Sequence, residues 1–213
     1  MTKAPFLNVA NVGKLSTVAN FLLSGNFSAS AITNTVSSFS VDNFLNLGFN
    51  ELIHYSLVGN QDLPQMPLKL INPLLMDSSN LRTSLLPSLI KTIKENLNQG
   101  NSYFDGFEYG HTYFYDTKKG FYEKEIISGI FGGNKIKNNW SESGNSLNWF
   151  RAKGKIDGIL KQLKIVTRWK LSSDPNYTNL LHPYRSAELY LPDEKRIGLF
   201  GQINPILAAK LNI

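Results

Sequence analysis

The chain has 213 residues, a formal net charge of +6 at neutral pH and no cysteine. This length fits one large domain, or one domain with a short extension, and such a chain buries enough apolar surface to fold without a disulfide or a metal ion. The absence of cysteine excludes thiolate catalysis, a cysteine zinc site and a disulfide framework. No run of about eighteen apolar residues is present, so we expect no segment that spans a membrane.

Residues 1–40 contain no acidic side chain and many Ser, Asn and Ala residues, a composition typical of organelle transit peptides. They hold no arginine, however, and the apolar residues from Phe6 to Leu22 recur at helical spacing. The sequence therefore favours an amphipathic helix followed by a Ser-rich linker. We expect 1–40 to be an N-terminal extension and 41–213 to be the core domain.

The first elements of the core are short. Phe44–Leu47 closes a helix that Gly48 ends, and Glu51–Val58 has the apolar character of a strand. His54 is the titratable group of interest in this strand, and a lone histidine in an apolar strand is most often hydrogen-bonded within the core or at an edge.

The central stretch of the sequence, Leu68–Gln99, predicts an entry strand, a turn and an amphipathic helix. Thr83 or Ser84 can cap the helix, and Pro87 lies in its tolerant first turn. Apolar residues at three- and four-residue steps form one stripe, which is either partly exposed until a partner subunit covers it or part of the core. The stripe consists of Leu85, Leu86, Leu89, Ile90, Ile93 and Leu97.

Arg82 lies just ahead of this helix, where the helix dipole disfavours a cation. The unfavourable placement indicates a partner, either a buried carboxylate or a bound anion. The alternative is that Arg82 points into solvent, and helical periodicity does not decide between the two.

The next two elements predict an antiparallel hairpin. Phe107–Phe114 alternates residue by residue, with aromatic rings and His111 on one face and Glu108 on the other. Phe121–Phe131 forms the returning strand. Gly132–Gly133 follows without a phosphate-binding G-x-x-x-x-G-K-[ST] pattern, so we expect a plain turn there.

A helix at Asn148–Lys164 and a strand at Ile165–Leu171 come next, and this region is rich in cations. The pattern indicates either a solvated face or a surface that meets RNA or an acidic partner. The residues proposed for such a surface are Lys153, Lys155, Lys161, Lys164 and Arg168.

The chain ends in a second predicted hairpin, Arg185–Leu191 with Ile197–Ile203, and a short helix that begins at Asn204–Pro205. His182, Ser186 and Glu188 lie close in sequence, but a catalytic triad depends on spatial orientation, so we expect structural hydrogen bonds there. Hairpin links dominate the element order. We therefore predict an α+β fold, an antiparallel sheet flanked by helices.

Six stretches resemble, in order, those of the phenylalanine–tRNA ligase beta chain family. The resemblance covers most of the chain and is strongest to plastid and bacterial members. The stretches are Leu47–Val58 (LGFNELIHYSLV), Asn72–Gly100 (with NLRTSLLPSLIK), Phe107–Phe114 (FEYGHTYF), Ile127–Gly133 (ISGIFGG), Asn148–Leu163 (NWFRAKGKIDGILKQL) and Leu181–Pro205 (with HPYRSAELY and IGLFGQINP).

The resemblance implies a core like that of class II aminoacyl-tRNA synthetases, without catalytic, cofactor-binding or metal-binding residues of its own. In that family a separate alpha chain makes phenylalanyl-adenylate, so ATP and Mg²⁺ are expected in the holoenzyme and not in this chain. Glu108 stands where the class II strand motif has a phosphate-binding arginine, and a carboxylate there would repel ATP.

The partners implied are the alpha chain, in an (αβ)₂ assembly, and tRNA(Phe), with no membrane involved. The candidates for the subunit contact are Arg82, Leu85, Leu89 and Ile93, and the cationic residues named above are candidates for tRNA contact. The expected location is the plastid stroma, or alternatively a bacterial cytoplasm. The alternative function is a free-standing RNA-binding or scaffold protein derived from a synthetase core.

Overall fold

The computed structural model describes residues 17–21, 41–59, 67–101, 103–118, 120–133, 149–172 and 180–211. The elements are, in chain order, β1 (Thr17–Phe21), α1 (41–46), β2 (Asn50–Glu51), β3 (Leu57–Val58), β4 (Leu68–Lys69), a 3₁₀ turn (Met76–Ser78), β5 (Asn80–Leu81), α2 (Leu86–Asn98), β6 (Tyr103–Asp116), β7 (Gly120–Gly133), α3 (Trp149–Gln162), β8 (Arg168–Leu171), β9 (Leu181–Tyr190), β10 (Arg196–Ile203) and α4 (Pro205–Leu211).

Two sheets organise these elements. A seven-stranded sheet has the order β2-β6-β7-β1-β10-β9-β8, and a three-stranded sheet has the order β3-β5-β4. Neighbouring strands are antiparallel throughout, except that β2 runs parallel to β6. The predicted α+β architecture is therefore confirmed.

Successive residues of the long strands alternate between two apolar layers, because neighbouring side chains on a strand point to opposite faces. On one face of the large sheet, α1 and α3 pack against Phe107, Ile127 and Phe131. On the other face, α2 and α4 pack against the alternate positions, such as Ile126 and Ile130. The helices thus cover the sheet from both sides.

Strand β1 is a correction to the sequence analysis. Thr17–Phe21 lies between β7 and β10, with Val18 opposite both Ile130 and Gly201. The helix predicted over the apolar N-terminal stretch is wrong at these five residues, because two neighbouring strands offer backbone hydrogen bonds that local periodicity does not reveal. The rest of 1–40 lies outside the described residues, and the domain division at residue 40 stays a prediction.

Most other predicted elements are confirmed, with adjusted ends. Gly48 ends α1 with a φ of 81°. The Ser84 hydroxyl accepts the Leu86 N–H at 3.2 Å where α2 begins, and the Asn204 side chain caps α4 by accepting the Ile206 N–H at 2.9 Å. The strand predicted over Glu51–Val58 is reduced to two-residue strands at its ends.

The stripe on α2 is also a correction. Leu85, Leu89 and Ile93 have no exposed surface, because they pack against the chain's own sheet. They are therefore core residues and are unavailable to a partner, contrary to their choice as candidates for the subunit contact. Among the described helices, none is long and apolar enough to cross a membrane.

Candidate functional site

A buried charge network lies where α2 begins, between β6 and the irregular segment 52–56. Arg82 Nη1 lies 2.5 Å from Glu108 Oε1, and the two side chains are 4% and 2% exposed. His54 Nδ1 lies 2.6 Å from Glu108 Oε2, and His54 Nε2 lies 2.8 Å from the Thr92 hydroxyl on α2. The network therefore ties segment 52–56 to both a central strand and a helix.

The protonation of this network follows from its partners. An ionised carboxylate only accepts hydrogen bonds, so His54 donates to Glu108 through Nδ1. Burial acts to raise the pKa of Glu108, but the hydrogen bonds from His54 and Arg82 and the Arg82 charge outweigh burial, so this pKa lies below its ordinary value.

Gly110 makes room for the guanidinium group. A Cβ atom at Gly110 would lie 2.5 Å from Arg82 Nη2 and 3.3 Å from Glu108 Oε1. Arg82 also crosses β6 closely enough to donate from Nε to the His111 carbonyl at 2.9 Å. Sequence analysis did not single out Gly110, although a glycine in the middle of an aromatic strand signals close approach by another group.

The network shows which partner Arg82 has, and it shows that Glu108 is buried and paired. Arg82 has a buried carboxylate partner, as one of the alternatives predicted, and is 3% exposed. It therefore offers no surface to a partner subunit. Glu108 is 1% exposed and its charge is matched, so it cannot repel ATP from an open cleft.

A second buried pair lies on the opposite face of β6. Lys155 Nζ, on α3, lies 2.7 Å from Asp105 Oδ2, and Asp105 is 2% exposed. The same ammonium group lies 5.1 Å from the centre of the Phe49 ring and 5.5 Å from that of Phe131. The Tyr103 hydroxyl also donates to Asp105, and burial together with this bond raises the pKa of Tyr103.

One residue of the predicted basic surface, Lys155, was assigned to it wrongly. Lys155 turns towards the sheet, so it does not belong to an outward cationic face. Lys153 lies 3.7 Å from Asp157 and over the Trp169 ring, while Arg168 pairs with Glu194.

Lys161 and Lys164 are exposed and form no ion pair among the described residues. Their contact with tRNA stays a prediction. Where residues are described, no group of three or more His, Asp or Glu side chains is placed to hold a metal ion.

Exposed apolar side chains concentrate on two segments beside the small sheet, and we call them the 53–75 surface. Ile71 and Leu74 are each 96% exposed, Ile53 is 90% exposed and Tyr55 is 88% exposed. The full set is Ile53, Tyr55, Leu57, Leu70, Ile71, Leu74 and Leu75. The sequence did not predict this set, because exposed residues in irregular segments show no helical or strand periodicity.

A cavity of about 500 Å³ lies beside the first of these segments. Tyr55 and Leu57 line it from the first segment, Asp77 and Ser78 follow the second, and Thr92 faces it from α2. His54 lies at the same cavity, so the buried network fixes the wall from which Ile53 and Tyr55 project. The part of the 53–75 surface around Ile53 and Tyr55 is thus held by the buried network, and exposed apolar side chains of this kind can contact another macromolecule.

The chain matches a protein-family model and several known proteins. A family model described as "Phenylalanyl tRNA synthetase beta chain CLM domain" matches residues 31–213. The chloroplastic phenylalanine–tRNA ligase beta subunit of Phaeodactylum tricornutum (strain CCAP 1055/1) is 53% identical over 169 residues, which are 79% of this chain and 24% of that protein.

Two further relatives carry the same beta-subunit name. That of Trichormus variabilis (strain ATCC 29413 / PCC 7937) is 40% identical over 75% of this chain and 19% of its own length. The chloroplastic protein of Porphyra purpurea is 38% identical over 78% of this chain and 22% of its own length. The chain thus spans about a quarter or less of the length of these relatives.

Among solved structures, a pyrrolysyl tRNA synthetase from Desulfitobacterium hafniense, PylSc, superposes with a TM-score of 0.55. The superposition covers 84% of this chain and 67% of that protein at 11% sequence identity. At this identity the likeness is one of fold.

Proposed function

Because the chain belongs to the family of phenylalanyl tRNA synthetase beta chains, we propose that it forms part of the beta chain of phenylalanine–tRNA ligase. That enzyme joins L-phenylalanine to tRNA(Phe) with ATP. In this proposal the chain has a class II synthetase-like core, is not catalytic itself, and supports assembly with a catalytic alpha chain in an (αβ)₂ complex.

The observation that carries the assembly role is the 53–75 surface. Soluble proteins rarely expose contiguous large apolar side chains without a partner for them, and here Ile53, Tyr55, Ile71 and Leu74 are each at least 88% exposed. The buried network holds the segment that carries Ile53 and Tyr55 in place before binding, which lowers the entropic cost of association there. The alpha chain is the partner that we assign to it.

The charge distribution supports a non-catalytic role. Synthetases hold the phosphates of ATP with guanidinium groups and divalent metal ions. Arg82 is already held by Glu108, and Lys155 is already held by Asp105, so neither cation is available to a nucleotide. In this proposal ATP and Mg²⁺ act in the alpha chain of the holoenzyme.

The alternative of a free-standing RNA-binding or scaffold protein rested on the cationic stretch around α3. Lys153 and Arg168 form ion pairs and Lys155 contacts the sheet, so only Lys161 and Lys164 of the five candidates remain to support this alternative. Two relatives are chloroplastic and one is cyanobacterial, and we place the protein in the plastid stroma, with a bacterial cytoplasm as the second option.

The test is co-expression with the alpha chain of the same source, followed by size-exclusion chromatography with light scattering. We expect the wild type to elute at the mass of a hetero-oligomer. A variant carrying Ile71→Asp and Leu74→Asp should elute as separate chains. Val166→Asp is the matched control, since it also puts a carboxylate at an exposed apolar position, 70% exposed, outside the 53–75 surface.

Two results would overturn the proposal. The first is assembly of the Ile71→Asp/Leu74→Asp variant as well as of the wild type. The second is phenylalanine-dependent exchange of pyrophosphate into ATP by the isolated chain, because that reaction requires a complete adenylate-forming site.

A further inference from the structure

Strand β9 carries a large bulge at the end of the sheet where α4 begins. Gly201 of β10 faces Ser186, but Ile203 faces Leu181. Between these two pairs β10 advances by two residues and β9 by five. We call the four residues of β9 that lie between the pairs the 182–185 bulge. Bulges of this kind redirect side chains and are typical of functional positions.

Local hydrogen bonds order the 182–185 bulge. The Tyr184 N–H donates to His182 Nδ1 at 3.1 Å, and Arg185 Nη1 donates to the Gln202 side-chain oxygen at 2.9 Å. The Tyr184 side chain is nevertheless 83% exposed, and its ring centre lies 6.1 Å from that of His182. The bulge thus presents an exposed aromatic ring, and the next residue along the chain carries a guanidinium group whose orientation is fixed by Gln202.

The described residues that flank the bulge on β9 and β10 carry positive charge. Residues 180–187 and 198–211 contain Arg185 and Lys210 but no Asp or Glu. The next carboxylate on β9, Glu188, is 6% exposed and accepts a hydrogen bond from Tyr190 at 2.6 Å. The described residues around Tyr184 therefore favour an anionic ligand over an acidic protein surface.

We propose that the 182–185 bulge binds an unpaired nucleotide of RNA, with the base stacked on Tyr184 and the adjacent phosphate bound by Arg185. An exposed aromatic ring is the usual platform for an unstacked base, and a guanidinium group is the preferred partner of a phosphate. The identity of the RNA as tRNA(Phe) rests on the proposed function, whereas stacking and phosphate binding follow from the bulge itself.

The experiment is a fluorescence titration of the α–β complex with a tRNA(Phe) transcript and with a short single-stranded RNA, each at two salt concentrations. Tyr184→Ala should weaken binding of both RNAs by about 5- to 150-fold, the range that loss of one base–aromatic stack produces. Tyr184→Phe keeps the ring and should bind like the wild type. Arg185→Gln should weaken binding and reduce the slope of log affinity against log salt by about 0.7–0.9.

The matched control is Tyr115→Ala, which removes an exposed tyrosine from the tip of the β6–β7 hairpin. The strand register places that tip at the opposite end of the sheet from the bulge. This variant should bind RNA like the wild type.

Wild-type affinity of Tyr184→Ala for both RNAs would overturn the proposal. So would separation of the alpha chain caused by Tyr184→Ala, because that result would make the bulge a protein contact. If the wild-type chain does not assemble with an alpha chain, the proposed function fails, and the same titration with the chain alone still tests the bulge.

Discussion

Arg82 and Glu108 form an ion pair of 2.5 Å that is almost completely removed from solvent. The pair joins the residue that enters α2 to the middle of β6, and His54 completes it from segment 52–56. An arginine just ahead of a helix is disfavoured by the helix dipole, and the carboxylate explains why it is tolerated here. The pair therefore holds the core together and supports the 53–75 surface at the same time.

Removal of Arg82 should be strongly destabilising. Arg82→Met leaves the Glu108 carboxylate buried without its main positive partner, which typically costs about 3–5 kcal/mol of unfolding free energy. Arg168→Met breaks the exposed pair with Glu194 and should cost about 0–1 kcal/mol. Urea unfolding of the two variants and the wild type measures both values, and equal losses would contradict a buried role for Arg82.

The stabilisation from Glu108 should depend on pH. Its pKa in the folded chain lies below the ordinary value, so the carboxylate stabilises the fold above the unfolded pKa of about 4.3 and loses this effect as pH falls through the folded pKa. Glu108→Gln should therefore be less stable than the wild type at pH 7, and the difference should shrink steadily below about pH 4.3. Unfolding free energies across this range provide the test, and a constant difference would rule out the ionised pair.

Gly110→Ala isolates the close approach of Arg82 to β6. The added methyl group would meet the guanidinium 2.5 Å away, in a buried strand, and overpacking of this kind costs about 1–3 kcal/mol. Gly154→Ala on α3 is the matched control, since a Cβ there meets nothing within 4 Å and alanine favours the helix by about 1 kcal/mol. Thermal unfolding should therefore move in opposite directions for the two variants, and a shift in the same direction would be inconsistent with steric contact at Gly110.

The residues near Arg82 illustrate what the sequence could and could not predict. Amphipathic periodicity predicted α2 and the face that Leu89 shares with Ile93. It did not predict whether the chain itself or a partner covers that face. The chain's own sheet covers it, so the prediction of a subunit contact through Leu89 and Ile93 is wrong. The awkward position of Arg82 did indicate a partner, but Glu108 lies 26 residues away, beyond the reach of local patterns.

Similar limits explain the other misses. A central strand such as β1 takes its stability from two neighbours distant in sequence, so its helix-like spacing was misleading. A charge count did not separate Lys155, which turns inward, from Lys161, which is exposed. The hairpins were predicted well because alternation and turn residues act within a few positions. The 182–185 bulge was missed because it depends on the register with β10.

The Asp105–Lys155 pair should behave as a coupled unit. Lys155→Met leaves Asp105 buried and without its cation, and we expect a loss of about 3 kcal/mol. A double variant, Asp105→Leu with Lys155→Met, should recover much of this loss, because apolar replacement of a buried pair is often neutral. Lys161→Met, at an exposed position of the same helix, is the control and should be close to neutral. Additive losses in the double-mutant cycle would contradict a direct pair.

Substitutions at Leu89 and Leu74 distinguish the role of the core stripe from that of the 53–75 surface. Leu89→Ala removes a fully buried side chain that packs against the sheet, and it should lower the unfolding free energy by about 2–5 kcal/mol. Leu74→Ala truncates a side chain that is 96% exposed, so stability should change by less than about 0.5 kcal/mol.

Assembly with the alpha chain should show the reverse order. Leu89→Ala, measured under conditions where it is folded, should still assemble, while Leu74→Ala should weaken the complex. Chemical unfolding combined with a titration of alpha chain measures both quantities on the same preparations. A Leu89→Ala chain that is fully stable but does not assemble would return the stripe to the subunit contact and remove the 53–75 surface from it.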